Sequence, residues 1–124
     1  MAIGDRAVRA FISYGRLSPD AGELSYFDLC ERLRGSMKDE VSALRMLAVY
    51  DTLRLLEADG KELSANAVRA VYLENPSRVM RKNEISFRVV KFAALNYMDV
   101  RTVWRRIAEA KELYLKLLEQ QNID

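Results

Sequence analysis

The strongest hydrophobic periodicity in this 124-residue chain lies near its C-terminal end, where Val100, Val103, Ile107, Ala110, Tyr114 and Leu117 recur every three or four positions. At 100° per residue these side chains form one apolar seam, so the segment predicts a long amphipathic helix. Asp99 stands where its carboxylate can accept from the free backbone N–H groups of the first turn. Upstream, Ile85, Val89, Phe92 and Ala93 mark a second helix, from an Asn83 cap with Glu84 in the first turn to about Asn96. The break at Asn96-Tyr97-Met98 is short, and Ala93 is small enough for two crossing helices. Together they predict a helix-turn-helix over about 83–118.

The earlier pattern is helical too. Residues 36–59 run more than five turns without Gly or Pro, from a Ser36 cap to a stop at Gly60. Val41, Leu44, Met46, Leu47, Val49, Tyr50, Leu53, Leu55 and Leu56 occupy more than one face of this helix. Two readings follow: a central helix, or one shared with a second copy in a homodimer. A shorter helix begins at a Ser64 cap, turns Ala67, Val68, Val71 and Tyr72 inward and breaks at Pro76. Segment 74–83 is a basic loop. Nearer the N-terminus, Ile3, Ala7, Phe11 and Tyr14 share helical spacing ahead of Gly15, and 16–25 reads as a loop around Pro19 and Gly22. A Ser25-capped helix then places Phe27 or Tyr26, Cys30 and Leu33 on one side, with Gly35 closing it. The pattern therefore predicts an all-α helical bundle, residues 36–124, preceded by a helical segment, 1–35, set apart as a mobile or partner-binding appendage.

Composition narrows the function. With 50% hydrophobic and 31% charged residues the chain belongs with folded domains. No apolar run is long enough to span a bilayer, and neither a signal peptide nor a membrane partner is expected, which points to the cytoplasm. The sequence has no His and one cysteine, Cys30, so ordinary zinc sites and His-activated nucleophiles are missing. Cys30 reads as a small core residue. No metal, cofactor or enzymatic activity is expected.

The net charge of +2 conceals an uneven distribution. Residues 76–116 carry ten Lys or Arg against four acids, whereas 1–75 carry ten against twelve. A basic C-terminal third is the electrostatic footprint of a phosphate-rich partner. On the second helix of the motif the side opposite the seam presents Arg101, Arg105 and Ala108, flanked by Thr102 and Glu109, and on the other edge by Trp104. Arginine pairs bidentately with guanine, and threonine can donate to phosphate or touch a thymine methyl, so Arg101, Thr102 and Arg105 are the candidate base readers. Arg81, Lys82, Arg88, Lys91 and Arg106 are the candidate phosphate anchors. Trp104 reads equally well as bundle packing or as stacking over a sugar.

The string from Phe92 to Ala110, FAALNYMDVRTVWRRIAEA, resembles the helix-turn-helix of sigma-70 region 4-like domains. From about Leu44 onward the chain resembles phage-encoded late-gene transcriptional regulators of the RinA/ArpU type, which share the arrangement made here by Thr102, Val103, Trp104, Arg105, Arg106, Ile107, Glu109 and Ala110. The resemblance implies a phage or prophage regulator that binds double-stranded DNA sequence-specifically. The alternative is a sigma-like protein-interaction module that holds RNA polymerase or another acidic partner. At the turn, Tyr97-Met98 replaces the more usual Gly and small aliphatic, so Asn96 or Tyr97 must accept an uncommon backbone conformation.

Overall fold

The computed structural model describes residues 5–17, 20–36, 39–77 and 79–122, and these contain six α-helices and no strand. The helices are α1 (Arg6–Gly15), α2 (Tyr26–Ser36), α3 (Glu40–Ala58), α4 (Glu62–Val68), α5 (Lys82–Leu95) and α6 (Val100–Gln120). A π-helical turn, Arg69–Leu73, continues α4. The all-α expectation is met.

Helix ends follow local chemistry, although several caps differ from those expected. The start of α3 lies three residues beyond Ser36, which belongs to α2: Asp39 accepts from the Ser42 N–H at 2.8 Å and from the Ser42 hydroxyl at 3.0 Å. Gly35 lies inside α2 rather than closing it. At the other end of α3, Gly60 adopts φ +77°, and the N–H groups of Gly60 and Lys61 return to the carbonyls of Glu57 and Leu56, as the expected stop requires. Ser64 is not a cap, since α4 opens at Glu62 and the buried Ser64 hydroxyl donates to Glu109 at 2.6 Å. Nor is Asn83, because α5 begins at Lys82 with no side-chain cap.

The turn between α5 and α6 has the same form as that after α3, with a less suitable residue in it. Tyr97 takes φ +54°, and the N–H groups of Tyr97 and Met98 bond the carbonyls of Ala94 and Ala93. A side chain in this left-handed region costs about 1–2 kcal/mol, and the Tyr97 side chain is 98% exposed, so packing returns none of it. Tyr97→Gly is therefore expected to stabilise the protein by about 0.5–1 kcal/mol, after allowance for glycine's extra freedom when unfolded. A raised thermal midpoint checks this; a lowered one contradicts it.

The core gathers around α6. Val103, Ile107, Ala110 and Tyr114 are buried as the seam predicts, but Leu118 and not Leu117 completes it, because a 3.6-residue period drifts over four turns. On α3, Met46, Ala48, Val49, Leu53 and Leu56 are buried within the chain, against neighbours that include α1, α4 and α6. Its exposed large apolar residues, Val41 and Leu55, stand fourteen residues apart, about 21 Å along the axis. The surplus apolar surface expected on 36–59 is thus mostly consumed inside one copy.

Helix α1, which the pattern sets outside the 36–124 bundle, contributes to this same core. Phe11 is fully buried, with ring centroids 5.9 Å from Tyr72 and 5.7 Å from Tyr114. Asp5, the N-cap of α1, accepts from Lys111 of α6 at 2.9 Å. Helix α1 ends at Gly15, as the pattern predicts, and the same glycine permits close packing: a Cβ there would lie 2.8 Å from the Tyr72 carbonyl oxygen. On α2 the buried residues are Leu29 and Leu33; Tyr26 and Phe27 are exposed and Cys30 is half-buried, one step round from the expected face. Ile3 lies outside the described residues.

Candidate nucleic-acid interface

Helix α6 is held at its inner side and open at its outer one. The Asp99 carboxylate accepts from the Arg101 N–H at 3.2 Å, and the fully buried Val103 and Ile107 fix the rotation of the first two turns. Arg101 and Arg105 consequently point to solvent, with Thr102 half-buried beside them. Trp104, 38% exposed, is shared between the surface and the bundle edge.

A second contact sets the angle of α6 against α4. Glu109 accepts from Ser64 at 2.6 Å, lies 3.2 Å from Lys61 Nζ and meets Arg106 Nη1 at 3.7 Å. The Ser64 hydrogen bond, helped by Lys61, holds the Glu109 carboxyl below the usual glutamate range. This cluster spends part of Arg106, whose guanidinium turns inward and leaves Nε buried without a hydrogen-bond partner among the described residues. Arg106 is a weaker phosphate anchor than its position in the sequence predicts.

Arg88 is withdrawn from the interface altogether. Its guanidinium donates to the backbone carbonyls of Val71, Glu74 and Asn75 and to Glu84 Oε2 at 3.3 Å. The same Glu84 meets the Ser77 hydroxyl at 2.7 Å through Oε1, and Ser77 O accepts from Arg16 at 2.8 Å. Arg88 therefore clamps the end of the π-helical turn and the loop that follows, which corrects its assignment as a phosphate anchor. Arg88→Ala, leaving these acceptors unpaired, is expected to cost about 2 kcal/mol of stability. Urea unfolding measures it, and a change below ~0.5 kcal/mol would deny the clamp.

The remaining predicted cations behave differently. Arg81, Lys82, Lys91, Arg101 and Arg105 are all exposed, and none forms an ion pair among the described residues. Elsewhere Arg34, Arg54, Lys61, Arg69 and Lys111 each meet a carboxylate. Uncompensated positive charge thus remains along α5 and the first turns of α6. Its members are not one cluster: α5 has 14 residues, so Arg81 and Lys82 stand about 20 Å from the turn that carries α6.

One feature of this region escaped the sequence reading. Phe87, Val90 and Leu95 are 67%, 52% and 68% exposed on the outer side of α5, away from buried Ile85, Val89 and Phe92. The signal was present, since Phe87, Val90 and Ala94 form a second stripe at helical spacing. No family model, no curated protein and no solved structure matches this chain.

Proposed function

We propose that this protein is a transcriptional regulator that binds double-stranded DNA through α5 and α6, with the first two turns of α6 in the major groove. The observation that carries the reading is the set of five exposed cations on α5, its N-cap and the first turns of α6, Arg81, Lys82, Lys91, Arg101 and Arg105, none of which forms an ion pair among the described residues. A basic helix N-terminus with an outward Arg101, Thr102 and Arg105 suits base-edge contact, while Arg81, Lys82 and Lys91 suit phosphates on the flanking backbone. Resemblance to RinA/ArpU-type regulators and to sigma-70 region 4-like domains supports a phage or prophage origin, a cytoplasmic setting and action on transcription.

Selection of bound duplexes from a random pool at about 0.15 M salt tests the proposal. Enrichment of a consensus is the expected result. Binding that is equal for all duplexes and collapses with salt would overturn it. A palindromic consensus would indicate two copies on one site, and a single motif one copy.

A second reading, a module that holds RNA polymerase or another acidic protein, is favoured by the exposed Phe87, Val90 and Leu95, since phosphates offer apolar side chains nothing. Under that reading no duplex is selected, and Phe87→Ser abolishes capture of the acidic partner.

A further inference from the structure

Aromatic rings stand among the cations of α5 and the turn that follows it. Phe87, on the outer side of α5, is 67% exposed, and Tyr97, in the turn, is 98% exposed. Phe11, Tyr14, Tyr72, Phe92 and Tyr114, by contrast, are core residues. No ring packs on Phe87 or Tyr97 among the described residues, and the guanidinium of Arg54 lies over Tyr50 instead, so the two exposed rings keep an open face.

Lys91 stands one turn beyond Phe87 on the exposed side of α5, and Arg101, in the first turn of α6, lies four residues beyond Tyr97. Neither forms an ion pair among the described residues. Between Arg81 and Arg105 the only acids are Glu84 and Asp99, and both are engaged: Glu84 by Ser77 and Arg88, Asp99 as the cap of α6. Open rings therefore alternate with cations whose charge is not met within the chain. The backbone adds a second point. Tyr97 holds φ +54° without a packing contact to offset the strain, so any compensation comes from outside the chain.

A ring gains most from a flat partner. In a duplex the bases stack on one another and leave only edges and sugars to a protein surface, whereas an unpaired strand splays its bases and offers their faces. Helix α5 runs eight residues from Phe87 to Leu95, about 12 Å, so the two rings suit bases separated along one strand. Exposed Val90 and Leu95 lie between them, where sugars would pass. A protein partner would need the apolar area but not its flatness.

We infer that the outer side of α5 and the turn after it bind a single strand of DNA or RNA, with bases stacked on Phe87 and Tyr97 and phosphates on Lys91 and Arg101. This is a further activity of the surface proposed to meet duplex DNA. It rests on the same unpaired cations, and it does not require α6 to enter a major groove.

Fluorescence anisotropy on the full chain tests it, with labelled oligothymidylate and oligouridylate of about 15 nucleotides at about 0.15 M salt. Saturable binding of at least one strand is expected at micromolar protein. Phe87→Leu and Tyr97→Leu should each weaken it about tenfold, and Tyr97→Phe should leave it unchanged. Leucine at position 97 meets the same backbone strain as tyrosine and remains apolar, so that variant removes only the flat face. Both positions are exposed, and circular dichroism confirms that the variants fold. The inference is overturned by an absence of saturable binding to either strand, or by Tyr97→Phe weakening binding as much as Tyr97→Leu. Equal binding by wild type and both leucine variants also overturns it, and would assign the apolar side chains to a protein partner. The duplex reading stands or falls separately: ring-dependent binding of single strands without any selected duplex removes that reading and upholds this one, whereas a selected duplex with leucine variants that bind single strands normally does the reverse.

Discussion

Replacing Phe11 by alanine is expected to remove about 3–5 kcal/mol of stability, the range for emptying a large aromatic site in a packed core. Phe11 is fully buried and meets both Tyr72 and Tyr114, so its ring joins α1 to the π-helical turn and to α6 at one point. Neighbouring Gly15, with the Tyr72 carbonyl 2.8 Å from where a Cβ would sit, keeps α1 too close to that turn for easy collapse of the cavity. Since small domains are stable by only about 5–15 kcal/mol, the loss would be a large share of the whole. Urea unfolding of Phe11→Ala measures it. A loss below ~1 kcal/mol would mean that α1 is an appendage whose departure the rest of the bundle tolerates.

The second large effect belongs to the proposed DNA surface. Removing Arg101 and Arg105 together is expected to abolish preference for the selected duplex, at about 1–3 kcal/mol of discrimination for each base pair read. Both side chains are exposed and lack internal ion pairs, so stability should change by less than ~0.5 kcal/mol. Lys82→Ala should weaken all duplexes alike and lower the salt slope by about one. Competition between the selected duplex and single-base variants separates the two outcomes. Equal behaviour of Lys82→Ala and the double variant would contradict the division into reading and anchoring residues.

How much of this was legible beforehand differs by residue. The α6 seam was legible because burial along one long helix obeys a single period, and the Asp99 cap because it depends on backbone groups two residues away. The strained turn was legible as a choice between Asn96 and Tyr97, because a left-handed residue is needed wherever a helix closes in this way, and the structure places it at Tyr97. On α2 two apolar stripes of similar strength compete: Leu33 is buried as expected, but its buried companion is Leu29 and not Phe27, Tyr26 or Cys30. Periodicity ranks faces but does not choose between equals. The boundary between α2 and α3 was misplaced because Ser36 and Asp39 are both competent caps, and only the packed position of α3 selects the second.

The largest gap concerned what the polar groups do. Arg88 looked like its neighbours Arg81 and Lys91 until the carbonyls of Val71, Glu74 and Asn75 were brought beneath it. Ser64 looked like a cap until Glu109, 45 residues later, came within 2.6 Å.

The motif that dominates the sequence, two helices meeting at Tyr97-Met98 ahead of Asp99, depends on hydrophobic period, capping and turn chemistry, all of which act over a few residues. The sequence alone therefore determined the class of fold, the existence of α5 and α6, and the outward side of α6. The tertiary structure decided which cations on that side remain free, which glycine permits close approach, and where α1 belongs. Those outcomes turn on groups distant in the chain approaching within about 3 Å, a range at which hydrogen bonds and contacts act and which no local pattern encodes.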